Sequence, residues 1–278
     1  SGLECSFIYI DFVDVGAGAA GWHLKAKQHI TVETYYRFLI LELLKNCPKV
    51  IYLDSDLIIR RDVARLYDLP MDSCLLAAAL DPDFIGQYNG ANTDTRRYCK
   101  EVLRLKNPYQ YAQAGVLIFH TALLRQKTSV RRLFRMAETG DYKYSDQDIL
   151  NIVCEGRIKK LDMAWNVLAG SRRHKVVKSA PAGIQKEYEQ ARKEPYIIHY
   201  AGDSKPWQHP EEDFAQEFWK TARQTPYYEQ LLYGMCVQEK NSSYRKKAVV
   251  LLKRTVKKVL PSGSRIRRAA VSIYWKMR

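Results

Sequence analysis

Short apolar runs at Phe7–Phe12, Val50–Leu53, Leu75–Leu80, Gly115–His120 and Tyr196–Tyr200 are separated by longer amphipathic stretches. Each run has the length of a strand buried on both faces and is too short for a buried helix. Strands alternating with helices in this way predict an α/β sheet, largely parallel, with helices packed on both sides. The clearest helix is Thr31–Leu44, where Tyr35, Phe38, Leu39, Leu41 and Leu43 supply the apolar positions and Thr31 a plausible N-cap. Cys47-Pro48 stops it. The Gly/Ala-rich segment Gly16–Gly21 predicts a loop. Pro82, Gly86, Asn89-Gly90 and Asn92 predict an irregular connection over residues 82–95, and long ordered loops in compact domains are often functional.

Charge divides the chain more sharply than hydropathy does. The net charge is +15, yet residues 240–278 hold 13 Lys/Arg and no acid, which leaves 32 basic against 30 acidic groups in residues 1–239. A nearly neutral body excludes a basic nucleic-acid face spread over the fold, so no nucleic-acid partner is expected. The basic segment is amphipathic: Val249, Leu252, Val256 and Val259 share one helical face, and after Pro261-Ser262-Gly263 a shorter face is formed by Ile266, Ala269, Ala270 and Ile273. This pattern suits an anionic membrane surface, giving an expected division into a catalytic-sized domain, 1–239, and a membrane-associating tail, 240–278. No run reaches the roughly 20 apolar residues of a spanning helix. The six cysteines lack any paired spacing and read as reduced core residues of a cytoplasmic protein, peripheral at the inner face of the membrane. Asn241-Ser242-Ser243 matches a glycosylation pattern but carries little information by itself.

Two strand ends carry chemistry. Asp54-Ser55-Asp56 follows the apolar run Val50–Leu53, and side chains two apart on an extended segment project to one side, so both carboxylates can face one hard cation. Asp-x-Asp occurs three times in the chain, at Asp54/Asp56, Asp81/Asp83 and Asp146/Asp148, so position and not the triplet itself gives weight. Ligands of open α/β sheets bind beyond the carboxyl ends of strands. The second signal is the string from His199 to Trp207, which includes Gly202, Lys205 and Pro206, after the run Tyr196–Ile198. A histidine at a strand end can give a nitrogen to a metal, a glycine admits a phosphate close to the backbone, and a lysine supplies a point charge.

Tyr35-Tyr36-Arg37, Lys49 through Asp56, Ala114-Gly115-Val116-Leu117, Ser145 through Asn151 and the His199–Trp207 string follow one another over residues 30–210. In these motifs and their order the chain resembles glycosyltransferase family 8, which includes bacterial lipopolysaccharide galactosyl- and glucosyltransferases and the glycogenins. The resemblance implies a GT-A fold, a Rossmann-like mixed sheet flanked by helices, here extended by the basic amphipathic tail. It also implies a retaining enzyme that uses Mn²⁺ (or Mg²⁺) to move galactose or glucose from a UDP-hexose to a saccharide or lipid-linked glycan acceptor.

Carried over position by position, the resemblance assigns Asp54, Asp56 and His199 to the metal. Gly202 and Lys205 go to the diphosphate, and Arg37, Ser55, Asp81, Gln113 and Ala114 to the donor sugar and nucleotide. Asp146 and Gln147 fall beside the reacting anomeric carbon, although Asp146 also reads as a helix N-terminal acid. Two departures stand out: Gln113-Ala114-Gly115 replaces the usual Asn-Ala-Gly, and the chain is expected to lack the strand, helix and strand that open the family's nucleotide pocket. A non-catalytic sugar- or membrane-binding remnant is the alternative from another class, and nucleotide binding discriminates between the two.

Overall fold

The computed structural model describes residues 32–90 and 93–237. Phe7–Phe12, Gly16–Gly21, Thr31 and the tail from residue 240 lie outside the described residues. The described residues form two compact units, one of 32–205 with 212–214 and one of 206–211 with 215–237.

The first unit holds seven strands: β1 Val50–Leu53, β2 Leu57–Ile59, β3 Leu76–Leu80, β4 Ala112–Phe119, β5 Ile158–Lys160, β6 Val167–Leu168 and β7 Ile197–His199. They make a four-stranded sheet of order β1-β4-β3-β5 and a three-stranded sheet of order β2-β7-β6. The sheets are mixed, which corrects the expectation of a largely parallel one. β4 returns between β1 and β3 and pairs antiparallel with both, as β2 does with β7; only β3–β5 and β6–β7 are parallel. The physical reason is that all eight residues of β4 are buried. Burial on both faces gives an unbroken apolar run whichever way the neighbours point, so the run itself does not encode direction.

Alternation along the strands builds one apolar layer on each side of the four-stranded sheet. Leu76, Ala78, Leu117 and Phe119 face a layer completed by Phe38, Leu133, Phe134, Ile149 and Leu150. Ala77, Ala79, Val116 and Ile118 face the other, with Leu66, Trp165 and Ile197. Helices thus cover the first face as the sequence predicts, and the second face is covered by the short helices Ala64–Tyr67 and Met163–Asn166 together with β7.

Two local expectations change. The Thr31–Leu44 helix is a 3-10 helix over Val32–Leu39 and α-helical only over Ile40–Leu43, because one or two turns of apolar spacing cannot separate a period of 3.0 from one of 3.6. Tyr35, Phe38, Leu39 and Leu41 are nonetheless buried as expected, while Leu43 is exposed. The connection at 82–95 contains two helices, Pro82–Asn89 and Thr93–Tyr98. The first is capped by Asp81, whose Oδ1 accepts from Phe84 N at 3.0 Å, with Pro82 in its first turn. Gly86, a turn signal in the sequence, is there because any Cβ would overlap the Val176 carbonyl of the helix Ser171–Val177. The cysteines also depart from expectation: Cys99 and Cys154 are buried, but Cys47 and Cys236 are exposed.

In the second unit, Trp207, Phe218, Trp219 and Tyr228 form a run of ring contacts with centroids 5.3 to 6.2 Å apart around the helix Ala215–Ala222.

Candidate active site

The site begins where the chain passes from one sheet to the other. Past the last β1–β4 pair, Leu53 with Val116, Asp54 N still donates to Gly115 O at 2.9 Å. Two residues later Tyr200 N donates to Asp56 O at 3.0 Å, and Leu57 enters β2 opposite His199 of β7. The Asp54-Ser55-Asp56 segment is thus pinned at both ends by different sheets, and its carboxylates are held against the end of β7. Side-chain donor atoms of Asp54, Asp56 and His199 all lie within 4.8 Å of one another. His199 Nε2 stands 3.5 Å from Asp54 Oδ2 and 3.2 Å from Asp56 Oδ1. Ser55 is exposed between them.

These residues fit a divalent cation. Two carboxylate oxygens and an imidazole nitrogen facing one another are mutually repulsive acceptors unless a cation stands among them, and such a set suits a hard or borderline metal. The backbone makes room for the ring: a Cβ at Gly115 would lie 2.6 Å from His199 Nδ1 and 2.9 Å from Asp54 Oδ2. Lys205 Nζ donates to Asp56 Oδ2 and to Tyr200 O, the latter at 2.7 Å. Burial opposes ionisation of Asp56, but its polar contacts, the Lys205 ammonium among them, outweigh it and hold the carboxyl well below the usual range.

Behind the carboxylates lies Arg37, almost fully buried. Its Nη2 donates to Asp54 Oδ1 at 3.1 Å, Nη1 to Ala114 O at 2.5 Å and Nε to Thr34 O at 3.1 Å, while the guanidinium covers the Tyr52 ring at 4.3 Å. Nε also lies 3.0 Å from Asp146 Oδ2. Burial disfavours the guanidinium charge, but Asp146 and Asp54 outweigh it, so Arg37 is held above its ordinary value. Asp146 is the opposite case. Burial dominates there, only partly offset by Arg37 and by a hydrogen bond from Thr34, and its carboxyl is pushed up to about 6. Its Oδ2 accepts no hydrogen bond despite the ion-pair distance to Arg37.

A continuous hydrogen-bonded chain joins five of the expected residues, Asp81, Gln147, Ala114, Arg37 and Asp54. Gln147 Nε2 donates to Asp81 Oδ2 at 2.9 Å, and Gln147 Oε1 accepts from Ala114 N at 3.0 Å. The Ala114 carbonyl then meets Arg37, and Arg37 meets Asp54. Gly202, at φ +79°, stands apart from this chain. Its α-carbon faces Arg173, which donates to Ala201 O at 3.3 Å and pairs with Asp83 at 3.2 Å. Gln113 Oε1 accepts from Gly115 N and from Asn166 Nδ2, each at 2.5 Å.

Sequence reasoning missed Thr34, Tyr52, Asn166 and Arg173. Tyr52 Oη donates to Asp54 Oδ1 at 2.8 Å and Asn166 Oδ1 lies 3.0 Å from His199 Nδ1. No motif flags a lone tyrosine or asparagine. Alternation along β1 could have placed Tyr52 on the side of Asp54 and Asp56. Asp146 is a first-turn acid of the helix Ser145–Cys154, as its sequence position suggests, and it faces Arg37 as well, while Asp148 Oδ2 accepts from Tyr144 N at 2.8 Å.

The family model described as Glycosyl transferase family 8 matches residues 11–210. The chain belongs to glycosyl transferase family 8. It is 27% identical over 214 residues to general stress protein A of Bacillus subtilis (strain 168), covering 73% of this chain and 70% of that one. It is 23% identical over 180 residues to the lipopolysaccharide 1,2-glucosyltransferase of Escherichia coli (strain K12), covering 62% of this chain and 48% of the enzyme. Among solved structures it is similar to the apo WbbM bifunctional glycosyltransferase, with TM-score 0.65, 28% identity and coverage of 76% of this chain and 38% of that one. The galactosyltransferase LgtC, solved with donor and acceptor sugar analogs, superposes at TM-score 0.59 and 23% identity, covering 74% and 72%. This family 8 chain therefore has the GT-A fold of these neighbours. It spans about half or less of the length of several relatives.

Proposed function

We propose that this family 8 chain is a retaining hexosyltransferase that moves galactose or glucose from a UDP-sugar to a saccharide acceptor, in the synthesis of lipopolysaccharide or another cell-surface glycan. The observation that carries the reading is the convergence of Asp54, Asp56 and His199 within 4.8 Å, with Lys205 held on Asp56, at the junction of the two sheets.

Asp54, Asp56 and His199 would hold Mn²⁺ or Mg²⁺, which supplies charge neutralisation to a diphosphate leaving group. Lys205 adds a second cationic contact to that diphosphate, and Gly202 admits it close to the backbone. Arg37, Ser55, Asp81 and Ala114 contribute to the donor site, with Arg37 fixing Asp54 and the Ala114 carbonyl as it does so. Asp146 and Gln147 stand beside the anomeric carbon and steady its developing positive charge, with Asp146 itself held by its ion pair with Arg37. In the transfer, the bond from the anomeric carbon to the diphosphate oxygen breaks and the acceptor hydroxyl oxygen bonds to the same face. The hydroxyl proton passes to the departing phosphate oxygen.

Residues 1–239 are assigned to catalysis, and the basic segment 240–278 to the inner face of an anionic membrane, which brings the site to a lipid-linked acceptor. The tail assignment rests on its sequence alone. Among the described residues no helix is long and apolar enough to cross a membrane. The transferase reading is tested by incubating the protein with UDP-galactose or UDP-glucose, Mn²⁺ and a glycan acceptor, and reading the new linkage by NMR. Retention of the donor's anomeric configuration, lost with a chelator, is expected. An inverted product, or turnover unaffected by the chelator, would overturn it.

A further inference from the structure

We infer that Gln113 and Asn166 are positioning residues that lock His199 with a proton on Nδ1, so that the lone pair of Nε2 is presented to the cation site. The inference rests on the metal reading above for its purpose, but its structural basis is separate.

Imidazole orientation and amide orientation are both ambiguous by themselves, since nitrogen and oxygen are similar in size. Here a backbone group removes the ambiguity. Gly115 N–H can only donate, and it donates to Gln113 at 2.5 Å, so the Gln113 atom at that point is the oxygen Oε1. The Asn166 atom 2.5 Å from the same oxygen must then be the donor Nδ2. The other end of that amide is Oδ1, an acceptor, 3.0 Å from His199 Nδ1. An acceptor there requires a hydrogen on Nδ1, and a neutral ring so protonated carries its lone pair on Nε2. Nε2 is the atom that faces Asp54 and Asp56.

The chain is shielded from competing water. Gln113 is 8% exposed, Asn166 1% and His199 1%. The two buried amides hold one arrangement, because flipping Gln113 would set donor against donor and flipping Asn166 would set acceptor against acceptor. The chain also accounts for Gln113 where the family has asparagine. The longer arm folds back over Gly115 to reach Asn166 and is committed to the protein. Metal-bound histidines in general donate their second nitrogen to such a partner, and removing the partner typically weakens metal binding 10- to 100-fold.

Two measurements test the lock. Mn²⁺ affinity is read by electron paramagnetic resonance for wild type, Asn166→Leu, Gln113→Leu and Gln113→Glu, with melting temperature as the folding control. Both leucine variants should bind 10- to 100-fold more weakly. Gln113→Glu, whose carboxylate can still accept from Gly115 N–H and Asn166, should bind at least as tightly as wild type. Equal affinity in folded Asn166→Leu, or loss in folded Gln113→Glu, would overturn the inference. If a variant fails to fold, ¹⁵N-histidine NMR of the wild-type protein decides the matter, with the His199 signals identified from His199→Gln. A protonated Nδ1 is expected, and an unprotonated one overturns the lock. Wild type that binds no Mn²⁺ would instead remove the metal reading, leaving the tautomer to be judged by NMR.

Discussion

Arg37 is the residue on which the buried side of the site turns, since it touches Thr34, Ala114, Asp54 and Asp146 at once. Truncating one partner of a buried ion pair leaves a charge without compensation, so Arg37→Ala should cost about 3–5 kcal/mol in chemical denaturation as well as activity. Asp54 and Asp56 differ from it in kind, with side chains 24% and 19% exposed. Asp54→Ala or Asp56→Ala should abolish transfer yet leave the far-UV spectrum unchanged and the melting temperature within a few degrees; near-parental Mn²⁺-dependent turnover in either would remove them from the metal. Asp146 gives a pH test. Its folded value, about 6, lies above the ordinary carboxyl value, so the fold favours the protonated form. The contribution is full at low pH and is lost as pH rises from about 4 through 6. Asp146→Asn, measured without metal by urea denaturation, should therefore lose less stability than wild type over that window. An unchanged slope would show that Asp146 is not buried as described.

The elements explain which parts of the site were legible. β3, β4 and β7 announce themselves because strands buried on both faces need uninterrupted apolar runs, and β1, a half-buried edge strand, carries such a run too; Asp54, Asp56 and His199 follow directly from where these runs stop. β2, β5 and β6 are two or three residues long, too short for any period to show. The pairing directions, the junction of two sheets at Asp54–Leu57 and the Gln113–Asn166–His199 chain come from long-range contacts that no local window contains. Asp81 shows the reverse error. Pro82 and Gly86 look like loop signals, although a proline belongs in a first helical turn and this glycine serves helix packing. Asp81 caps the helix Pro82–Asn89 and anchors Gln147. Asp81→Ala should accordingly cost about 0.5–2 kcal/mol from the cap in thermal unfolding. A neutral effect on both stability and transfer would contradict both of its bonds.

At the scale of the whole molecule, the described residues combine a two-faced core with a polar junction at the sheet ends, and the cysteines report on the core. Burial pushes the Cys99 and Cys154 thiols up to about 12, so a native alkylation assay should label Cys47 and Cys236 and spare these two until denaturant is added. Rapid native labelling of Cys154 would contradict the packed core. The tail from residue 240 lies outside the described residues, and its test is sedimentation with anionic liposomes, where salt-sensitive binding should disappear on cutting after Ser243. Equal binding by the shortened chain would rule the tail out as the anchor. The central claim is that Asp54, Asp56 and His199 form a cation site that serves a nucleotide-sugar diphosphate. Isothermal calorimetry of UDP with the wild-type chain, with Mn²⁺ and then with chelator, and with Asp54→Ala and Asp56→Ala, tests it most directly. Binding that needs both the metal and both carboxylates is the expected result; equal binding under chelator, or in either variant, would contradict it.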